Sequence, residues 1–400
     1  MKLRRATAMW LGIAFSIVGS GCSPSAEVDA DDLRVVVERD AVVFDGTRIP
    51  NEVLSRLADN RVVLLGETHH LREHWELTVD LLRDLYTSGF RQFLVELPQM
   101  DDWLIDDYVR NRELGATWEP PAFFDRRFTA VRELNMTLPP DDQIRVRSID
   151  ANEDFYGGAQ NFRDLLVMLA DHLPSPGPIE SFLDKGYVDA PQQTQVEVVE
   201  SVAASLEADQ PTLIEAWGIE WYMRVTEMLE MELASIDVRF ERADDDEAGT
   251  RSREEIIKEL VDRRVAECSC GTLINIGGHH AQKSHLMGTE QEWMGDYLAH
   301  ESPVVDGSIM VIGFTSAETE LEPGAGGTPW DVIESSPEHE LLRIVAEAFP
   351  AQTVFLPLDD PLFADRAVAY NSEEVIYITR IKEQFDAIIQ YGMASRMPVD

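Results

Sequence analysis

Lysine is scarce in this chain. There are five lysines in 400 residues, and all basic side chains together number 34 against 74 acidic ones, for a formal charge of −40. A surface of that sign repels nucleic acid and anionic lipid headgroups, so no nucleic-acid partner is expected. The charge is spread along the whole chain, which fits a generally acidic or salt-adapted proteome better than one cationic ligand. Cysteine is nearly absent too, with only Cys22, Cys268 and Cys270. That is too few for a disulfide scaffold, and C-x-C lacks the spacing of a redox dithiol. A bond between the two neighbours and a pair of buried free thiols both stay open, and neither implies catalysis. Past the N-terminus no run is long and apolar enough to span a membrane. The chain has no G-x-S-x-G elbow, no P-loop, no dinucleotide fingerprint, no H-E-x-x-H and no zinc-finger spacing. The common serine hydrolases, nucleotide-binding folds and zincins therefore lose their usual signatures.

The N-terminus does carry a signal. In MKLRRATAMWLGIAFSIVGSGC, Lys2, Arg4 and Arg5 precede an apolar run from Ala8 to Val18, then small residues up to Cys22. The run is too short to cross a bilayer and reads as an export signal over residues 1–21. A cysteine directly after the small residues looks like a bacterial lipoprotein signal, with Cys22 taking the lipid; ordinary secretion is the alternative. Residues 22–32 read as a flexible tether, and residues 33–400 as one folded domain. The expected location is a lipid-anchored position at the cell membrane or outer membrane of a bacterium, facing the periplasm or the exterior.

Periodicity supplies the fold class. RVVLLG (Arg61–Gly66) reads as a buried strand, HLREHWELTVDLLRDLYTSG as a helix stopped at Gly89, and FRQFLVEL as a returning strand. Strand, helix and strand in about thirty residues make a βαβ unit with parallel strands. DDWLIDDYVRNRELG reads as a helix, and Gln143 to Ile149 as a third strand ending near Asp150. CGTLINIGG and SIMVIGFTS give a fourth and a fifth, with TVFLPLD, EVIYITR and FDAIIQY as further strand material. The class is α/β, with a mainly parallel central sheet flanked by helices and a mainly helical insertion over about residues 155–250. LPSPGP (Leu173–Pro178) and RADDDEAGTR (Arg242–Arg251) read as surface loops bounding the helical middle. Leu33 to Ile49 reads as a hairpin turning at Asp45-Gly46. Trp217, Trp221, Met223, Met228 and Met231 either line a pocket or pack the core, and core packing is the commoner use.

Six of nine histidines fall in two groups: His69, His70 and His74 after the first strand, and His279, His280 and His285 after the fourth. Polar, titratable groups at the ends of parallel strands are where an α/β fold usually does chemistry. Glu67 and His69, two apart, can share one pocket; the carboxylate orients the imidazole and raises its pKa, so the pair can serve as a general base. Glu96 adds a second carboxylate. His280 or His279 can act as acid, base or metal ligand. Glu73 and His74 open the helix, and Arg72 either holds an anionic group or faces solvent. A divalent metal, if one is bound, would draw on His69, Glu67, Glu96 and His280.

VVLLGETHHLREHWELTVDLLRDLYTSGFRQFLVEL, LINIGGHHAQKSHLMG, VIGFTS and FDAIIQYGMASRMP together resemble the erythromycin-esterase-like and ChaN-like superfamily, from about Arg61 to Pro398. That group includes antibiotic esterases, haem-uptake lipoproteins and the Tiki proteins. The resemblance implies a site made of Glu67, His69, Glu96 and His280, with Arg253 as a further contact. It implies water attack on a carbonyl and cationic groups steadying the oxyanion. The pattern departs from the esterases at His70, where they carry glycine, and at Gly277 and Gly278, where they tend to carry histidine and asparagine. They also have one more residue between the first glutamate and histidine. Three functions follow as expectations: hydrolysis of an ester, lactone or amide in a small-molecule substrate; haem or metal binding by a lipoprotein; or a non-catalytic interaction module on the same fold.

Overall fold

The computed structural model describes residues 30–44, 48–69, 71–112, 118, 120, 122–183, 186–285, 291–319, 340–372 and 375–397. The export signal, Cys22, the Asp45-Gly46 turn and His70 lie outside the described residues. The described residues form ten strands: β1 (Val42–Phe44), β2 (Val62–Glu67), β3 (Phe90–Pro98), β4 (Arg145–Asp150), β5 (Gly271–Gly277), β6 (Ile309–Thr319), β7 (Thr353–Pro357), β8 (Ala367–Ser372), β9 (Val375–Arg380) and β10 (Ala387–Ala394). Eight form one sheet in the order β1-β7-β10-β6-β2-β5-β3-β4, and β8 pairs with β9 alone. From β10 to β4 every neighbouring pair is parallel; β7 is antiparallel to both β10 and β1.

The helices are α1 (Ala30–Asp40), α2 (Asn51–Ala58), α3 (Arg72–Leu85), α4 (Asp102–Val109), α5 (Ala122–Asn135), α6 (Gly158–His172), α7 (Pro178–Leu183), α8 (Gln192–Ala208), α9 (Gln210–Trp217), α10 (Ile219–Asp244), α11 (Asp246–Glu267), α12 (Met294–His300), α13 (Glu340–Ala348) and α14 (Ile381–Gln384). Alternation along β2 shows how they cover the sheet. Val62 and Leu64 enter a core with Leu33 of α1, Ile257 of α11 and Leu342 of α13. Val63 and Leu65 enter the opposite core with Leu57 of α2, Leu81 of α3 and Phe128 of α5. With both faces buried, each strand reads as a continuous apolar run, as parallel sheets do. A third core lies among α6, α8, α9 and α10, between β4 and β5 in the chain, and it takes Trp217 and Met228. Met231 joins the first core, Trp221 packs at the edge of the third, and Met223 is exposed.

Two expectations are corrected. Leu33 to Ile49 is no hairpin: α1 occupies its first half, and β1 pairs with β7. Leu33, Val36 and Val37 at helical spacing bury one face, Asp31 and Asp32 suit the positive helix start, and Arg39 the negative end. This outweighs the strand preference of three consecutive valines. Arg242–Arg251 is not a loop either. α10 runs to Asp244 and α11 starts at Asp246, so Asp245 alone breaks the helix, its side chain accepting from the amides of Glu247 and Ala248 at 3.1 and 3.2 Å. The expected loop at Leu173–Pro178 is the link from α6 to α7.

β5 lies between β2 and β3 and brings the second histidine group to the first. The chain leaving β5 crosses so close to β2 that a Cβ on Gly66 would stand 2.9 Å from the Ala281 Cβ and 3.2 Å from the Gly278 Cα. Gly66→Ala is therefore expected to destabilise the protein by about 1–3 kcal/mol through overpacking, measured as a lower urea midpoint with unchanged slope.

Candidate functional site

Four adjacent parallel strands end at one rim of the sheet. Glu67, the last residue of β2, is in register with Gly277, the last of β5. Asp150 ends β4 opposite Pro98. Glu96 sits where the β3–β4 register shifts between Val95 and Pro98. Such bulges re-aim a side chain without ending the strand.

The Glu96 carboxylate is the meeting point. One oxygen accepts from the Gly277 amide at 2.7 Å and lies 3.9 Å from His69 Nε2. The other accepts from Arg253 Nη2 at 2.6 Å and lies 3.4 Å from His280 Nε2. Burial alone would raise its pKa, but His280, His69 and Arg253 hold it well below the usual carboxylate range. His69 Nδ1 meets the buried Glu67 carboxylate at 3.1 Å, while 42% of the His69 side chain stays open to solvent. Desolvation pulls His69 down; Glu96 and Glu67 outweigh it and set its pKa above the usual value. A Cβ on Gly277 would lie 2.9 Å from His69 Nε2, so only glycine leaves the ring this position.

His280 is buried. Its Nδ1 contacts Glu254, whose other oxygen accepts from the Met294 amide at 2.9 Å. Burial lowers its pKa, but Glu254 and Glu96 push it up to about 10 against Arg253, so the imidazolium is the neutral-pH form. Arg253 donates to both oxygens of Asp150, from Nε at 2.8 Å and Nη2 at 2.6 Å, and its Nη1 faces His280 Nε2 at 3.4 Å. Tyr156 donates to Asp150 at 3.0 Å. His279 is half-buried near Trp293, its pKa lowered to about 4 by burial and by its neighbours His280 and His69.

The structure thus brings Glu67, His69, Glu96, His280 and Arg253 together. The rest of the helix start does other work. His74 is buried, accepts the Thr68 amide on Nδ1 at 3.1 Å and stacks on Tyr391; burial lowers its pKa to about 3, so it braces the loop carrying His69 as a neutral ring. Glu73 accepts from Ser395 Oγ at 2.7 Å and from Arg72 at 3.1 Å, tying α3 to the end of β10. His285 pairs with Asp296 at 3.1 Å, and Cys268 and Cys270 form a disulfide. Sequence reasoning missed Asp150 and Glu254 as site residues. Asp150 carried a signal, since it ends a strand as Glu67 does. Glu254 carried one only as the acid following Arg253.

Among the described residues no group of three or more His, Cys, Asp or Glu side chains is arranged to hold a metal ion. Both imidazole Nδ1 atoms meet carboxylates, and Glu96 is held by Arg253 and an amide, while the buried Glu67 Oε2 has no hydrogen-bond partner among the described residues.

No family model matches the chain, and no curated protein matches it. Solved structures do. A protein from Bacillus cereus aligns at 14% identity over 93% of this chain and 99% of its own, with a TM-score of 0.66. A succinoglycan biosynthesis protein aligns at 16% identity over 93% and 99%, also at 0.66. An erythromycin esterase mutant in its open conformation aligns at 16% identity over 90% and 99%, at 0.60. The chain shares their fold: a mostly parallel central sheet flanked by helices, of the erythromycin-esterase-like type.

Two pH dependences follow. His280, raised from 6.5 to about 10, adds stability that is full below 6.5 and is lost as pH rises through about 10. Urea midpoints measured across this range should fall, and fall less in Glu254→Gln; parallel profiles would contradict the assignment. His74, lowered from 6.5 to about 3, costs stability as pH drops below 6.5, because only the unfolded chain takes up the proton. His74→Gln should flatten that acid limb.

Proposed function

We propose that this protein is an extracytoplasmic hydrolase of an ester, lactone or amide that uses water activated by His69. The observation that carries the reading is the Glu67–His69 pair at the sheet rim, with one imidazole nitrogen tied to a buried carboxylate and the ring partly open to solvent. Glu67 takes the Nδ1–H, which leaves Nε2 as the acceptor. In its neutral form Nε2 removes a proton from water, and the hydroxide attacks the carbonyl carbon. The carbonyl π pair moves to oxygen. The His280 imidazolium and Arg253 are the cations nearby, and their field steadies that oxyanion. Collapse expels the alkoxide or amine, which takes the proton back from His69 Nε2 and leaves an acid as the second product.

Glu96 sets the working range. It holds His280 and Arg253 in place while adding to the negative potential that raises His69. Asp150 does the same for Arg253 without facing His69. The location outside the cytoplasm rests on the N-terminal residues, with Cys22 as the lipid-bearing residue and the membrane as its partner. No helix among the described residues is long and apolar enough to cross a membrane. Fold likeness to an erythromycin esterase supports the reaction class and says nothing of the substrate.

The test is an ester, lactone and amide panel on purified protein. His69→Ala should lower kcat/KM on an accepted substrate by about 10²–10⁴-fold, and Glu67→Ala, Glu96→Ala and His280→Ala should each lower it as well. In the wild type kcat/KM should rise with pH through a value above 6.5, since the neutral imidazole is the base, and Glu67→Gln should move that limb to lower pH. Turnover that survived all four alanine changes would end the proposal.

A further inference from the structure

A cavity of about 350 Å³ opens beside β4, the edge strand of the sheet, and contains none of the residues of the candidate site. It is lined by fifteen side chains, six of them arginines against five carboxylates. Asp107, not itself in the lining, pairs with Arg224 and Arg112 and balances the sixth arginine, yet in a chain with 74 acidic and 34 basic residues so dense a group of arginines stands out. We propose that this cavity binds a small organic anion, its carboxylate or phosphate group held at Arg145 and Arg110 and its apolar part lying against Trp103 and Met223.

The charge pairing in the cavity is uneven. Arg147 is held by Asp102 at 2.6 Å, Arg264 by Asp102 at 3.1 Å and Glu267 at 3.2 Å, and Arg224 forms a two-point pair with Asp107 at 3.0 and 3.1 Å. Arg110 and Arg145 share what is left. Arg110 reaches Asp106 at 3.3 Å, and Arg145 reaches the same carboxylate only at 4.0 Å. The Arg145 side chain is 42% exposed, so its guanidinium fork is accessible. Burial, then Arg147 and Arg110 against the pull of Asp106, lower its pKa. A guanidinium does not give up its proton at these pH values, so Arg145 stays charged and able to meet an anion.

Hydrogen-bonding capacity points the same way. Among the described residues, four buried donors of the lining lack an acceptor: Trp103 Nε1 and the Nε atoms of Arg110, Arg145 and Arg264. Two buried acceptors of the lining are likewise without a donor, Gln99 Oε1 and Asp106 Oδ1. Arg presents a planar fork that matches a carboxylate or a phosphate. Met223, 53% exposed, provides the apolar side.

Isothermal titration calorimetry at low salt with phenyl phosphate, benzoate and benzyl alcohol tests this. Phenyl phosphate, benzoate or both should bind and weaken as salt is raised, while the neutral alcohol should not bind; the two anions together fix which head group is preferred. Arg145→Gln should weaken the bound anion about tenfold or more and keep the wild-type circular dichroism spectrum. Arg163→Gln, a solvent-exposed control on α6 paired with Asp164, should bind as the wild type does. No binding by either anion, binding of the alcohol as tight as that of the anions, or equal affinity in Arg145→Gln would overturn the proposal.

Discussion

Everything at the rim depends on one ionised carboxylate. Glu96 joins the backbone of β5, the guanidinium on α11 and imidazoles from two loops. Remove its charge and His69, His280 and Arg253 become three basic groups crowded without the anion they share. Buried ions persist only where paired and hydrogen-bonded, and removing one partner costs far more than the pair contributes. Asp150 and Glu254 meet the remaining demand by holding Arg253 and His280 from behind. The result is a set of alternating charges in which the His69 ring is the one left half open to solvent.

The two histidine groups divide their labour by burial. His69 keeps one side in solvent beside two carboxylates and is driven toward charge. His74 is buried with no charged partner among the described residues, stacked on Tyr391 and bonded to the Thr68 amide, and is held neutral. In the second group His280 is flanked by the carboxylates of Glu96 and Glu254, while its neighbour His279 is half-buried and feels chiefly desolvation and the charge of His280 and His69. Adjacent residues of one type thus take opposite protonation states, because each sees a different local field.

Much of this could be read from the chain. Apolar runs ending in Glu67, Glu96 and Gly277 mark the strands, and their shared direction puts their ends on one rim. The position of β5 between β2 and β3 could not be read, since strand order is set by tertiary packing and no local pattern encodes it. For the same reason the role of Asp150 stayed hidden until the neighbouring strand was in place. Leu33–Ile49 misled because three valines favour a strand by themselves, while the face they share with Leu33 favours a helix once there is a core to meet it. The break between α10 and α11 falls inside the expected loop but is one residue long, because a charged Asp run resembles a loop whereas one aspartate suffices as a helix cap.

The intercalation of β5 also governs the order in which the molecule can be built. A ribosome releases β2 and β3 long before the 158–267 helices and β5 that follow them. Until β5 emerges, both strands have parallel edges facing an absent partner, and such edges pair with whatever they meet. The contacts that close the gap join residues some two hundred positions apart, which makes the sheet a slow, late-completing structure. A chain held unfolded until its whole length is available avoids that hazard; one that began to fold from its N-terminal half would expose it.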